Sequence, residues 1–424
     1  MSLILEKMNK MAENISSKRK FVWNMIGSMS NALASFVLLT IVTRINGSED
    51  GGLFSLAFST AQMLTSIGCF ETRALQVTDI GRKQNFKDYF TFRVMTSLLM
   101  MAALVVYVLV SGKTGESAAV IFFICLYKAI DCVSDSFQGL FQLSDRIDLS
   151  GMALGLRVML STLVFGLTLA GFHSLLWSAI AMCITELIFI FFFDYQLSKR
   201  YDVCGLQIRP EAVKSLFLQC FPLFIGSFMV SYMVNASRYA IDELMTNEIQ
   251  NYYGFLLMPA FVINLFSLFV FRPMLTPMAV CWSKRDKKEF FGMIRKSMLW
   301  IGFLTVGAVA GAWLLGIPIL NLVSGLELDK YRVELVIVML GGSMNAVITV
   351  CYYILAVMRR QYQILAAYGV GFAAALVIPQ MLVQAAGITG AVISYVIPMT
   401  LAVVTFWIEI IWNVQKTDWS NSHE

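Results

Sequence analysis

Histidine is nearly absent: two occur in 424 residues, His173 and His423, and only 14% of the chain is charged. Histidine-based catalysis is thereby disfavoured. A soluble domain is about a quarter charged, so this composition does not describe one. The eight cysteines show no Cys-x-x-Cys spacing and lie mostly in apolar runs. They read as small apolar fillers, not as metal ligands or disulfides. A nucleotide-binding loop is missing too. "SGKTGES" ends like one, but its first glycine position is Tyr107, so any transport must draw on an ion gradient or on the substrate's own. No cleaved leader is expected. The first 20 residues are polar and charged, and the apolar run after them is too long for a signal peptide.

What the chain has is apolar length: 58% of it is hydrophobic, with mean hydropathy +0.72. Twelve runs are each long enough to cross about 30 Å of hydrocarbon as a helix. They fall near 21–43, 53–70, 94–110, 119–141, 151–171, 175–195, 216–234, 252–271, 298–323, 333–357, 364–386 and 389–412. The expected fold class is an all-α polytopic membrane protein. Its expected parts are an N-terminal segment (1–20), a first lobe (21–195), a linker (196–215), a second lobe (216–412) and a tail (413–424).

Lysine and arginine set the orientation. With the N-terminus inside, segments 1–20, 71–93, 142–150, 196–215, 281–297, 358–363 and the tail hold 24 of the 32 basic residues. Outer loops hold five: Arg44, Lys113, Arg238, Lys330 and Arg332. Lys128, Arg157 and Arg272 lie within spans. The asymmetry predicts both termini on the cytoplasmic side. The most basic loop, "CWSKRDKKEFFGMIRK", reads as a topology determinant touching anionic lipid.

A faint repeat links the first pair of spans to the seventh and eighth. Each pair has an arginine closing the odd span (Arg44, Arg238) and Phe-x-x-Arg ending the even one (Phe70/Arg73, Phe269/Arg272). Six spans separate the copies, as in transporters built from parallel repeats around a central cavity; chance is the competing account. Polar residues form stripes on span 1 (Asn24, Ser28, Asn31, Ser35) and span 2 (Ser55, Ser59, Gln62, Ser66). Such stripes serve equally as helix glue or as a wetted cavity wall.

Span 4 carries charge where hydrocarbon should be. Lys128, Asp131 and Asp135 stand at i, i+3 and i+7, a single stripe. Facing lipid, each would cost at least about 2.5–3.5 kcal/mol, so they must face protein or water. Arg157 on span 5 is the expected partner of Asp135, and Glu186 on span 6 lies near mid-depth. One reading is a structural ion-pair cluster. The other is a cavity lining that handles a charged substrate or a coupling ion.

At these residues a resemblance enters. "KAIDCVSDSFQGLFQLSDRIDLSGMALGLR" resembles the fourth-to-fifth helix signature of Wzx-type polysaccharide flippases, of the multidrug/oligosaccharidyl-lipid/polysaccharide exporter superfamily. The matching residues are Lys128, Asp131, Asp135, Gly139, Gln142, Arg146, Asp148 and Arg157. "WNMIGSMSNALASFVLLTIVTRINGSEDGGLFSLAF", "TRALQVTDIGRKQNFKDYFTFR" and "NASRYAIDELMTNEIQNYYGFLLMPAFVINLFSLFVFRPML" resemble other parts of that family, whereas spans 9–12 carry little that is diagnostic. The resemblance implies twelve helices in two six-helix lobes around a central cavity, in a bacterial cytoplasmic membrane. It also implies alternating-access translocation of undecaprenyl-diphosphate-linked oligosaccharide for surface polysaccharide biosynthesis.

On that implication Lys128, Arg157, Arg44, Arg238 and Arg272 are candidates for meeting the diphosphate, and Asn24, Asn31 and Gln62 for lining the cavity. Asp131, Asp135 and Glu186 would orient the cations or exchange a coupling proton or sodium ion. No cofactor or metal is expected, and no catalytic residue. The implied partners are the lipid-linked oligosaccharide, membrane lipids, and a polysaccharide polymerase with its chain-length machinery, but no nucleic acid. Two rivals stand beside this reading: a cation-coupled drug or metabolite exporter of the same superfamily, and a membrane glycan polymerase or ligase.

Overall fold

The computed structural model describes residues 17–79, 84–201, 205–271 and 274–416. Among them every regular element is helical. The first elements are α1 (Ser17–Asn46), α2 (Ser48–Cys69), α3 (Thr72–Thr78), α4 (Phe86–Ser111), α5 (Gly115–Leu143), α6 (Ile147–Phe172) and α7 (Leu175–Phe189). α7 runs on through a π-helical turn, Ile190–Tyr195. Then come α8 (Pro210–Leu244), α9 (Asn247–Phe271), α10 (Leu275–Ser283), α11 (Lys287–Gly311), α12 (Ile317–Ser324), α13 (Arg332–Val357) and α14 (Gln361–Lys416).

Each of the twelve predicted runs falls on one or more of these helices. Among the described residues nine helices are long and apolar enough to cross a membrane, or ten with the bent α2–α3 pair counted as one span. The chain is a multi-pass membrane protein. Two of the differences from twelve have physical causes. α3 leaves α2 at 43°, which divides the span. α14 has 56 residues, about 84 Å at 1.5 Å per residue, far more than one crossing needs. It breaks at Gly387 (φ 57°, ψ −131°), a conformation that glycine enters without a Cβ clash. Runs 364–386 and 389–412 lie on either side.

Two compact units divide the chain, Met1–Phe228 and Met229–Glu424, with the boundary inside α8. In the first unit α5 is the hub, packed by α2, α4, α6 and α7. In the second, α13 takes that place among α9, α11 and α14. These two hubs carry the fourth and tenth predicted runs. They differ in what they bury: α5 buries Lys128, whereas α13 buries the uncharged Ser343 and Asn345.

Close backbone approach fixes α1 against α6. A Cβ on Gly27 would strike the Gly151 carbonyl, and one on Gly151 would strike the Trp23 carbonyl. Only glycine fits such a crossing, a recurrent device where water supplies no drive for helices to associate. At the α2–α3 break Phe70 and Glu71 are both left-handed, φ 45° and 52°, which costs non-glycine residues free energy. Aromatic burial offsets it. The Phe70 ring is enclosed by Tyr89, Phe92, Leu216 and Cys220 and stacks on Phe224 at 4.4 Å. α4 opens on a capping box between Asn85 and Asp88, satisfying two otherwise orphaned N–H groups. Asp88 also receives the Arg209 guanidinium, Nε at 2.7 Å, which fastens the start of α8 to α4.

Candidate functional site

The charges of α5 are held in two adjoining networks within the first unit. In one, Lys128 lies 3.3 Å from Asp131, one turn away, and Asp131 also accepts from Arg157 of α6. Arg157 Nε stands 3.2 Å from Glu186 of α7, whose other oxygen accepts from Ser161 at 2.8 Å. The Lys128 ammonium lies 5.2 Å from the ring centroids of both Phe58 and Tyr127, a placement that a desolvated cation favours.

The second network surrounds Asp135. Arg73 of α3 donates to it at 2.5 Å and Arg93 of α4 at 2.9 Å. Arg73 also reaches Gln138 and Gln142 on α5 (3.1 Å each) and Ser150 on α6 (3.2 Å). Arg93, 1% exposed, donates in addition to the Cys69 carbonyl at the end of α2. Gln76 of α3 donates to the Ser136 carbonyl at 2.9 Å across Gly139, where any Cβ would overlap the glutamine. The α2–α3 break is what turns Arg73 and Gln76 onto α5.

The expected pairing of Asp135 with Arg157 is therefore wrong. Arg157 belongs to Asp131 and Glu186, and Asp135 to Arg73 and Arg93. Depth along a span does not by itself fix a partner. On a helix a shift from 131 to 135 rotates the side chain by only about 40°, and the neighbour on that side is α3–α4 rather than α6. The charges nevertheless balance. Arg73, Arg93, Lys128 and Arg157 face Asp131, Asp135, Glu186 and Asp194, four against four. Asp194 sits in the π turn of α7, fully buried, and accepts from Ser134 at 2.5 Å.

Sequence reasoning missed Arg73, Arg93 and Asp194 as members. The two arginines fall in the basic inner segment 71–93, and Asp194 stands at the end of an apolar run. A signal existed: charges buried on α5 require partners, and these were charged residues at the ends of neighbouring spans.

The other candidates lie elsewhere. Asn24 and Asn31 are exposed on α1 beside the Gly27 crossing, where the Asn24 Cα lies against Gly151 of α6. On α2, Ser55, Ser59 and Ser66 are buried while Gln62 is exposed, so that stripe divides between packing and surface. Arg44 is exposed at the last turn of α1. Arg238 is buried in the second unit, with Tyr253, Tyr239 and Tyr395 as electrostatic neighbours. Arg272 lies outside the described residues, as does the side chain of Phe269.

At the end of α5 the Arg-x-Asp part of the signature forms a clamp. Arg146 forks onto Asp148 (2.9 and 3.0 Å) and donates to Tyr201 at 2.8 Å. The bond to Asp148 holds the Arg146 guanidinium above its ordinary pKa. Lys20 of α1 closes the same turn on Asp145 at 2.5 Å. Among the described residues no group of three or more metal-ligating His, Cys, Asp or Glu side chains forms a metal site.

No protein-family model matches the chain. Solved structures share its fold. An inward-facing multidrug resistance MATE family transporter of the MOP superfamily aligns with TM-score 0.69 at 12% identity, over 95% of this chain and 98% of the other. A MOP superfamily transporter from Pyrococcus furiosus with a binding pocket of reversed polarity aligns with TM-score 0.54 at 15% identity, over 94% and 95%. Among curated proteins, the capsular polysaccharide biosynthesis protein CapF of Staphylococcus aureus is 21% identical over 326 residues, 76% of this chain and 81% of CapF. The chain thus has the helical fold of MOP-superfamily transporters. The resemblance to polysaccharide proteins read from the α5–α6 signature is accompanied by this similarity to CapF, whose name concerns capsular polysaccharide biosynthesis.

Proposed function

We propose that this protein is a MOP-superfamily flippase that moves a polyprenyl-diphosphate-linked oligosaccharide across the membrane by alternating access, and that it is not an enzyme. The observation that carries the reading is the paired charge network on α5, inside a unit where lipid-facing charge is forbidden. A lipid tail can stay in hydrocarbon while a diphosphate and sugars need a polar path with cations. Lys128 suits that role because Asp131 keeps Arg157 as a partner when Lys128 turns to a phosphate. Arg157, with no exposed side-chain surface, acts as the pillar that holds Asp131 and Glu186. Arg73, a third exposed, adds a second reachable cation. Arg44 in the first unit and Arg238 in the second are each candidates for phosphate contact on the outer side, with both chain termini cytoplasmic. Asp131, Asp135 or Glu186 exchanges the coupling proton or sodium ion. The name of the CapF relative, concerned with capsular polysaccharide, supports this substrate class.

One observation favours a second reading, export of cationic compounds. In the network of Asp131 the acid keeps 19% of its side-chain surface, whereas Lys128 keeps 5% and Arg157 none. Depleting the protein in its host separates the two. The flippase reading expects lipid-linked oligosaccharide to accumulate on the cytoplasmic leaflet. Normal flipping with reduced efflux of a cationic dye would overturn it in favour of export.

A further inference from the structure

A groove of about 550 Å³ opens on the first unit, lined by Phe90, Phe137, Leu187, Ile190, Phe191, Tyr195, Gly205 and Leu206. Its volume lies within the usual range for ligand sites, about 300–1,000 Å³. The π turn shapes it: Ile190, Phe191 and Tyr195 belong to that turn, and π turns are frequent at functional sites. Ile184, Leu187, Ile188, Phe191 and Phe192 are each more than half exposed along the same helix, an apolar face that hydrocarbon satisfies. The groove therefore opens towards lipid.

One end is cationic. Lys199 Nζ stands 4.4 Å from the ring centroid of Tyr195, and Lys87 Cε lies 3.9 Å from where a Gly205 Cβ would be. Each lysine thus sits on a residue that lines the groove, and Arg200 follows next in the chain. From Leu187 to Tyr195 an α-helix would advance about 12 Å and the π turn shortens this, so the stretch fits within one leaflet, half of the roughly 30 Å core. An apolar groove with a lysine on each of two lining residues, Tyr195 and Gly205, matches one acyl chain and one phosphate.

We propose that this groove is the seat of an anionic phospholipid, its acyl chain against Phe137 and Phe191 and its phosphate between Lys87 and Lys199. The proposal is independent of what the protein transports. The lipid would brace the π turn that carries Asp194, and so steady the Ser134–Asp194 contact on its other side.

The test is native mass spectrometry of the purified full chain, released from phosphatidylcholine nanodiscs that contain a minor share of phosphatidylglycerol. Wild type is expected to retain phosphatidylglycerol preferentially. Lys87→Ala and Lys199→Ala should each weaken retention about fivefold, as expected for one basic residue at an anionic surface. Leu206→Trp, which fills the groove and leaves both cations, should also weaken it. Equal retention of phosphatidylcholine would overturn the proposal, as would retention unchanged in the Lys87→Ala/Lys199→Ala pair. Displacement of the phospholipid by added polyprenyl phosphate at equal concentration would overturn the choice of occupant.

Discussion

Arg93 on α4 reaches Asp135 on α5 at 2.9 Å while almost wholly enclosed, and the same guanidinium binds the last carbonyl of α2. One side chain thus joins three helices at the point where the second span breaks. Such an arginine cannot be left without its acid.

Asp135→Ala is accordingly expected to lower the amount of folded protein in membranes. Removing one partner of a buried pair typically costs about 3–5 kcal/mol; the exposed fifth of Asp135 and its second arginine place the effect at the lower end. Asp135→Leu combined with Arg93→Met should recover much of the loss, because the uncompensated cation goes too. The exchange Asp135→Arg with Arg157→Asp should not recover it, since those residues are not partners. Fluorescence-detected size-exclusion chromatography of tagged variants decides between the two pairings.

The helix packing makes a second expectation. Gly151→Ala places a methyl group on the Trp23 carbonyl, which is backbone and cannot rotate away, so α1 must part from α6. Overpacking of that kind costs about 1–3 kcal/mol. Gly302→Ala and Gly307→Ala, where nothing lies within 4 Å, should leave the melting temperature within experimental scatter. Equal stability of all three variants would mean that the glycine crossing of α1 and α6 is not a tight one.

How far the sequence spoke for itself depended on the kind of signal. Hydrophobic length marks a span because the bilayer imposes it, so each predicted run was found on a helix. The stripe of Lys128, Asp131 and Asp135 was equally legible, since helical period and the cost of charge in lipid are both local rules. Partner choice was not. Whether Asp135 meets Arg157 or Arg93 depends on which helix packs on which side of α5, and the turn at Phe70–Glu71 decides it. Two non-glycine residues in left-handed backbone have no local signature, because their cost is offset by the distant ring of Phe224.

Orientation is open to direct measurement. Reporter fusions at Gly112, Asn247 and Leu326 should report outside, and fusions at Asn85, Arg285 and Lys416 inside. A single reversed loop between Asn235 and Arg360 would break both the orientation and the parallel repeat.

Lys128 separates transport from scaffolding. Lys128→Ala leaves Asp131 its bond to Arg157, so protein level should stay within about twofold of wild type. Outer-leaflet glycan should nevertheless fall strongly, while Lys128→Arg keeps charge with altered reach and should retain part of the activity. Both quantities are to be read in the same membranes. Undiminished glycan export from well-expressed Lys128→Ala would assign this stripe to structure alone.

The last expectation contrasts two acids of unequal burial, Asp131 partly exposed and Asp194 fully enclosed. Asp131 holds Lys128 and Arg157 together. Asp131→Asn removes the acid of Lys128 and one of the two acids of Arg157, and a loss near the lower end of about 3–5 kcal/mol is expected. Asp194 has one oxygen bonded to Ser134 and the other without a hydrogen-bond partner. Around Arg157 and Lys128 it is the third acid against two cations. Asp194→Asn keeps an acceptor for Ser134 and takes one surplus negative charge out of a fully buried site, where an imperfectly compensated charge is costly. Thermal melts in detergent should place Asp194→Asn at or above wild type and Asp131→Asn well below it. If the two variants melt together, the charges act as one undivided pool, and the acid of the π turn is no surplus charge but a full member of the network.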